Sequence, residues 1–249
     1  MLDRLDDVLE PLSRALGGKI LWKEMKENAE GASKQKGGAE IVAGYLKKLV
    51  ENDQDVEIHM VGHSAGSIFL GFLLRLLTNK DYNLPVSTCT LWAPACTTGL
   101  FKEAYLPAIM NQKIQHFSLF TLTDKAEQDD NCANIYNKSL LYLVSNAFEE
   151  RGRIPLFQAG EPLLGMEKFI AADKDLTTMF SDGTADWVLA PNTEKDPNRL
   201  STARHHGDFD DDEPTVKATL ARILGHGQAG AGMKFNRSAS SLREQRLKL

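Results

Sequence analysis

One serine lies between two glycines in the segment GHSAG (62–66). An alternating apolar pattern at 56–61 predicts a strand before it, and the dense apolar run at 67–78 predicts a buried helix after it. A serine at a sharp turn between a strand and a helix stands clear of the sheet, where its hydroxyl can attack a carbonyl carbon once a base removes its proton. We therefore predict that Ser64 is a nucleophile.

The residues around Ser64 favour the same interpretation. In such a turn, Gly62 and Gly66 are expected to approach each other closely, which leaves no room for larger side chains. The helix that begins after the turn directs its N-terminal N–H groups and the positive end of its dipole towards the site. The backbone N–H of Ala65 is therefore the expected first donor to an oxyanion.

A serine nucleophile needs a base and an orienting acid, in the chain order serine, acid, histidine for this kind of turn. His205 and His206 lie in a loop after the last predicted strand, and His63, inside the turn, is not expected to reach Ser64. We predict His206 as the base, because the glycine after it frees the backbone to present the ring, with His205 as the alternative. An alternative interpretation is a metal site built from these histidines and the DFDDD run (208–212). Capping of the next helix by the carboxylates is the simpler explanation of this run. No metal is predicted.

The predicted acid is Asp124, the first carboxylate after the strand at 115–123. Asp129 and Asp130 lie in the same loop and are the alternatives. An aspartate at the end of a strand is usually a turn residue. The assignment therefore depends on the order serine, acid, histidine along the chain.

The remaining pattern predicts an α/β fold, a three-layer α/β/α sandwich with a mostly parallel sheet, because strands alternate with helices. The first fifty residues are predicted to be mostly helical, with KILW (19–22) as a weak candidate strand. The other predicted elements are strands at 86–94, 115–123 and 185–191 and helices at 135–148 and 214–224. We expect one domain over 1–226 and a flexible basic tail over 227–249.

The composition indicates a soluble cytoplasmic protein. A net charge of -5 over 249 residues gives no electrostatic footprint for nucleic acid. Three cysteines without metal-ligand spacing favour a reducing compartment over a disulfide framework. The acidic N-terminal segment is not a signal peptide, and no apolar stretch is long enough to span a bilayer.

In these motifs the chain resembles the α/β-hydrolase superfamily, in its lipase- and esterase-like branches. The resemblance covers about residues 40–226 and is carried by VGHSAGS (61–67), LWAPA (91–95), FTLTD (120–124) and HHGDFDD (205–211). It implies acyl transfer to water, in which Ser64 attacks a carbonyl, His206 moves the proton and Asp124 holds the imidazolium. It implies no metal or organic cofactor.

The chain departs from the family pattern before Ser64. The family has about four strands there, one of them followed by a loop with an HG-type second oxyanion donor. Here that region is predicted to be helical, so the front half of the fold is expected to be incomplete. The second donor would come from a loop such as LGGK (16–19) or KGGAE (36–40). The strand at 56–61 is then expected at an exposed sheet edge, through which copies could self-associate.

The sequence is consistent with two functions from different classes. The first is a serine hydrolase that cleaves a carboxylic ester or related small acyl substrate through a Ser-His-Asp triad and an acyl-enzyme. The alternative is a catalytically impaired or inactive hydrolase-fold protein that serves as a binding or scaffold module, or the product of a gene fragment. The three triad residues favour the enzyme, and the missing HG loop favours the alternative.

Overall fold

The structure, a computed structural model, describes residues 2–53 and 55–225. The predicted tail at 227–249 lies outside the described residues. The chain forms an α/β fold around a four-stranded sheet in which all neighbouring strands are parallel. In spatial order the strands are β1 (His59–His63), β2 (Val86–Trp92), β3 (Ile114–Leu122) and β4 (Asp186–Ala190).

Helices precede the sheet, connect its strands and follow it. The α-helices are α1 (Leu2–Ser13), α2 (Lys19–Ala32), α3 (Gly38–Asn52), α4 (Gly66–Leu77), α5 (Thr98–Leu100), α6 (Leu106–Met110), α7 (Asp124–Asp129), α8 (Leu140–Leu143), α9 (Glu167–Ala171), α10 (Lys174–Ser181) and α11 (Glu213–Ile223). Three short π-helical segments, Arg14–Gly18, Phe101–Tyr105 and Val144–Phe148, continue α1, α5 and α8. In the described residues, no helix is both long and apolar enough to cross a membrane.

The two central strands, β2 and β3, are buried over most of both faces, which explains their nearly continuous apolar runs. On β3, Phe117 and Leu119 belong to the apolar cluster that contains α4. Phe120 and Leu122 point to the opposite face and pack in a second cluster with Ala218 of α11. The strand period of two therefore divides one apolar segment between two cores.

The carboxyl ends of the strands meet at one edge of the sheet, because all four strands run in the same direction. Hydrogen bonds continue the ladder beyond the strand ends at this edge. The N–H of Ser64 donates to the carbonyl of Trp92 at 2.9 Å, and the N–H of Thr123 donates to the carbonyl of Ala190 at 2.8 Å. The loops after β1, β3 and β4, which hold the predicted site residues, are thereby brought to the same edge.

Some of the predicted elements are wrong in type or extent. The strand predicted at 56–61 begins only at His59 and extends to His63. KILW (19–22) lies in α2, where Trp22 packs towards the core while Ile20 and Leu21 are exposed, a helical rather than an alternating pattern. The predicted helix at 135–148 begins only at Leu140. The preceding residues form turns, because Ser139 caps α8 by accepting a hydrogen bond from the N–H of Tyr142.

The strand β1 forms one edge of the sheet. Among the described residues it pairs only with β2, and residues 2–52 fold as helices joined by one π-helical segment and a short turn. Val61, at the centre of β1, is 39% exposed. The expectation that the sheet ends at this strand therefore agrees with the described part of the chain.

Candidate active site

Ser64 occupies a strained turn between β1 and α4. Its φ of 53° lies in the left-handed region, which costs a residue with a side chain roughly 1–3 kcal/mol. Four hydrogen bonds hold the turn. The Ser64 N–H donates to the Trp92 carbonyl, and the Ser64 carbonyl accepts from the Ala95 N–H at 3.0 Å, the Ser67 N–H at 3.1 Å and the Ser67 hydroxyl at 2.7 Å. The surrounding chain therefore maintains the strained backbone that exposes the serine at the carboxyl edge.

The two glycines of the turn have different roles. A Cβ atom added to Gly62 would lie 2.7 Å from Cδ1 of Leu70 on α4 and 3.4 Å from the carbonyl carbon of Gly66, so a side chain here would require Leu70 to move. A Cβ atom added to Gly66 would meet nothing within 4 Å. The two glycines therefore lie close together as expected, but the expectation that no larger side chain fits is wrong for Gly66, because the space beside it is open.

His206 is the histidine that reaches the serine. Its Nε2 atom lies 2.8 Å from Oγ of Ser64, and the residue is buried with 7% exposure. The neighbouring His205 points elsewhere, with its Nδ1 atom 2.7 Å from Oδ1 of Asp130. Of the two candidates for the base, the structure brings only His206 into hydrogen-bonding distance of Ser64.

Asp130 holds the loop that carries both histidines. Besides contacting His205, its Oδ2 atom accepts the backbone N–H of His206 at 2.9 Å. Burial acts to raise the pKa of the Asp130 carboxyl, but the hydrogen bonds from His205, His206 and Asn131 outweigh it and lower this pKa below its usual value. Asp130 therefore places a stable negative charge beside the histidine pair.

Asp124, the predicted acid, is directed towards helices rather than towards the histidine loop. Its Oδ1 atom accepts the Tyr142 hydroxyl at 2.7 Å, and its Oδ2 atom accepts the Gln128 amide at 2.6 Å. The reason is local: Thr123 caps α7, so Asp124 lies in the first helical turn. The second alternative, Asp129, is 62% exposed and pairs with Lys125.

The aspartates that follow the histidines stabilise the loop and the next helix. Asp208 accepts the backbone N–H groups of Arg204 and His205, both at 3.0 Å. Asp212 caps α11 by accepting the N–H of Thr215 at 3.2 Å, and it also accepts the N–H of Thr202 at 3.0 Å. Within the described residues, no group of three or more histidine, cysteine, aspartate or glutamate side chains is arranged to hold a metal ion.

His63 contributes to the site in a way that the sequence reasoning missed. Its Nε2 atom lies 2.8 Å from the backbone carbonyl of His206, and the two rings are 5.3 Å apart. A carbonyl only accepts hydrogen bonds, so Nε2 of His63 carries the hydrogen. This bond joins β1, which leads into Ser64, to the loop that carries His206. In the sequence, the sign of this role was that His63 directly precedes Ser64.

Ala65 is the residue predicted to donate its N–H to an oxyanion. It lies directly before α4, and no acceptor for its N–H occurs among the hydrogen bonds of the described residues. The two segments considered for a second donor lie elsewhere. In LGGK, Gly18 is against the Phe148 ring, and in KGGAE, Gly37 is against the Ala32 carbonyl. Neither segment forms a described hydrogen bond with the turn at Ser64.

A buried glutamate lies one helical turn before Asp130. Glu127 is fully buried on α7 and is hydrogen-bonded to Ser139, while its Oε1 atom has no partner in the described part of the chain. Burial raises the pKa of Glu127 to about 8, despite the Ser139 bond, and the charges of Asp130 and Asp124 add to the rise. At neutral pH the Glu127 side chain is therefore protonated and uncharged, while the nearby Asp130 carboxylate is ionised.

Comparisons of the chain with protein-family models, with curated proteins and with solved structures found no match. The function is therefore inferred from the residues and the geometry of the site.

We predict that Gly62→Ala and Gly66→Ala have opposite outcomes. The first should lower the melting temperature and any esterase activity, since its new methyl group collides with Leu70. The second should leave both nearly unchanged, because the space beside Gly66 is open and its helical position tolerates alanine. Thermal melts and ester hydrolysis of the two variants provide the test. Equal losses in both would contradict this account of the turn.

We predict that Glu127→Gln stabilises the protein increasingly as pH rises from about 4.5 to about 8. In this window the unfolded glutamate is ionised while the folded one stays protonated, so the wild type loses up to about 1.4 kcal/mol per pH unit and the glutamine variant does not. Melting temperatures of both proteins at pH 5 and pH 8 measure the effect. A difference that is the same at both pH values would contradict the prediction.

Proposed function

We propose that this protein is a serine hydrolase that cleaves a carboxylic ester or a related acyl substrate. The observation that supports it most is the 2.8 Å contact between Oγ of Ser64 and Nε2 of His206. The serine lies in a left-handed turn before a helix N-terminus, as a nucleophile of this class requires.

The proposed reaction has two halves. In the first, Oγ of Ser64 attacks the carbonyl carbon while Nε2 of His206 accepts the hydroxyl proton, and the histidine then gives that proton to the departing alkoxide. In the second, His206 takes a proton from water, the resulting hydroxide attacks the acyl-enzyme, and the proton returns to Ser64. The products are a carboxylic acid and an alcohol.

The negative charge of the tetrahedral intermediate would be stabilised at the start of α4. The Ala65 N–H is the first donor, and the positive end of the α4 dipole lies behind it. The helix spans Gly66–Leu77, and Arg75 is its one exposed residue, so its dipole is partly shielded from water.

We assign the acidic role in this site to Asp130 in preference to Asp124. Asp130 is buried and ionised, and it bonds the backbone of His206 and the ring of His205. It would therefore hold the His206 loop in place and favour the imidazolium through its charge. The described bonds of Asp124 are with α7, α8 and the Glu167 side chain.

We further propose that the fold is that of an α/β-hydrolase whose sheet begins at the strand of the nucleophile. The parallel sheet, the turn at Ser64 and the histidine loop before the last helix support this interpretation. Cys89 and Cys96 are buried thiols, which suits a reducing compartment such as the cytoplasm.

A binding or scaffold role without turnover is the second candidate. It is favoured by the position of Gly18 and Gly37, which are packed against Phe148 and Ala32 rather than beside Ser64. With one oxyanion donor, catalysis would fall by roughly 10²–10³-fold relative to a complete site. Measured turnover decides between the two candidates.

We predict that Ser64→Ala and His206→Gln each abolish hydrolysis of p-nitrophenyl esters without lowering the melting temperature by more than a few degrees. The loss should reach roughly 10³-fold or more in kcat, because either change removes the activated nucleophile. His205→Gln is the matched control and should retain most of the activity, since its ring contacts Asp130 instead of Ser64. Equal retention by both histidine variants would contradict the assignment of the base.

We predict that Asp130→Asn lowers kcat by roughly 10- to 10³-fold, because the amide loses the charge that favours the His206 imidazolium. Asp124→Asn should change kcat by less than about 3-fold, since its amide can still accept the Tyr142 hydroxyl. Steady-state kinetics with KM and melting temperature measured in parallel separate the effect on chemistry from one on folding. If Asp124→Asn lowered kcat more than Asp130→Asn, Asp124 would be the acid, as expected from the sequence, and the assignment of Asp130 would be contradicted.

A further inference from the structure

The N-terminal segment 5–21 turns its charged side chains towards the protein. Asp6 and Glu10 on α1 are 1% and 3% exposed. Glu10 accepts hydrogen bonds from the Tyr136 hydroxyl and the Asn146 amide, both at 2.7 Å, and Asp6 accepts the backbone N–H of Asn137 at 3.1 Å. The polar side of α1 is therefore the side that docks on the rest of the chain.

The other charged residues of this segment are also bonded to the protein. Asp7 pairs with Arg153 at 2.6 Å, and Lys19 pairs with Glu150 at 2.5 Å. The guanidinium of Arg14 donates to the backbone carbonyls of Ala147 and Glu149, both at 2.6 Å. These bonds hold α1 and α2 against the Val144–Phe148 segment.

Every exposed residue between positions 5 and 21 is uncharged and apolar. We call this set the outer face; its members are Leu5, Val8, Pro11, Leu12, Ala15, Leu16, Ile20 and Leu21. The exposure reaches 62% at Val8, 77% at Leu16 and 67% at Leu21. A surface helix normally shows the reverse orientation, with its apolar side on the core and its charges in water.

The outer face is large enough to form an interface. Its large side chains are between 48% and 77% exposed, and contiguous apolar patches of roughly several hundred Å² commonly mark protein interaction sites. A protein interface of ordinary size buries about 800 Å² on each partner. The area therefore suits one protein partner over the length of α1 and the start of α2.

The charges favour a protein surface over a lipid surface. Helices that lie on membranes carry lysine and arginine on their polar side. Here the polar side of α1 is acidic and buried, and the basic residues Arg14 and Lys19 are bonded to the protein. The chain also has a net charge of -5, which opposes binding to anionic lipid.

We propose that the outer face binds the outer face of a second copy of this chain in a two-fold homodimer. A two-fold contact pairs one surface patch with the same patch of the second copy, so a charge near the axis would face an identical charge. The outer face has no exposed charge, and it therefore meets this condition. The proposal moves the expected self-association from the sheet edge at Val61 to the N-terminal helices.

Sedimentation velocity over a range of protein concentrations tests the proposal. The wild type should shift from monomer towards dimer as its concentration rises. Leu12→Glu and Leu16→Glu should each weaken dimerisation at least tenfold, because the new carboxylates meet in the interface. Leu224→Glu is the matched control: this residue has the same 48% exposure as Leu12 but lies after α11, and the variant should dimerise like the wild type.

A charge-exchange experiment separates interface loss from misfolding. Leu12→Glu and Leu12→Lys should each be monomeric with near-normal melting temperatures, and their mixture should regain dimer. The proposal would be overturned if the wild type stayed monomeric at all concentrations or if Leu224→Glu weakened dimerisation as much as the leucine variants. It would also be overturned if Val61→Lys dissociated the dimer while the leucine variants did not, or if the mixture of the two Leu12 variants formed no dimer. Flotation of a monomeric wild type with phosphatidylcholine vesicles would assign the outer face to lipid and would also overturn it.

Discussion

The left-handed turn at Ser64 is the constraint on which the rest of the site depends. It is held from both sides, by the carbonyl of Trp92 at the end of β2 and by the N–H of Ala95 in the loop beyond it. Because β1 and β2 are parallel and in register to their ends, the serine emerges at the carboxyl edge of the sheet. A flatter turn would bury the hydroxyl and separate it from the histidine loop.

Placing a base beside this serine requires an ordered loop far along the chain. Three described contacts hold that loop near the nucleophile: Asp130 bonds the His206 N–H, Asp208 bonds the backbone at His205, and His63 bonds the His206 carbonyl. Each contact uses the backbone, so the imidazole of His206 stays directed at Ser64. The position of the His206 imidazole relative to Ser64 therefore depends on these polar contacts more than on the sheet itself.

The turn at Ser64 and the contact of His206 with it were predictable because their signals are local or depend on chain order. Ser64 lies between a strand pattern and a helix pattern, and His206 lies in the last loop before the last helix. The acid was less predictable, because Asp124 and Asp130 flank one short helix and only the helical phase shows which of them faces the histidines. The role of His63 and the open space at Gly66 depend on tertiary contacts that no sequence pattern records.

The central claim is that His206 activates Ser64. Labelling with a fluorophosphonate probe, read by intact mass and peptide mapping, tests it most directly, because the probe reacts only with a serine that has a working base and oxyanion site. We expect one adduct per chain, located on Ser64, absent from Ser64→Ala and strongly slowed in His206→Gln. A folded wild-type protein that takes up no probe, or takes it up on another serine, would contradict the account.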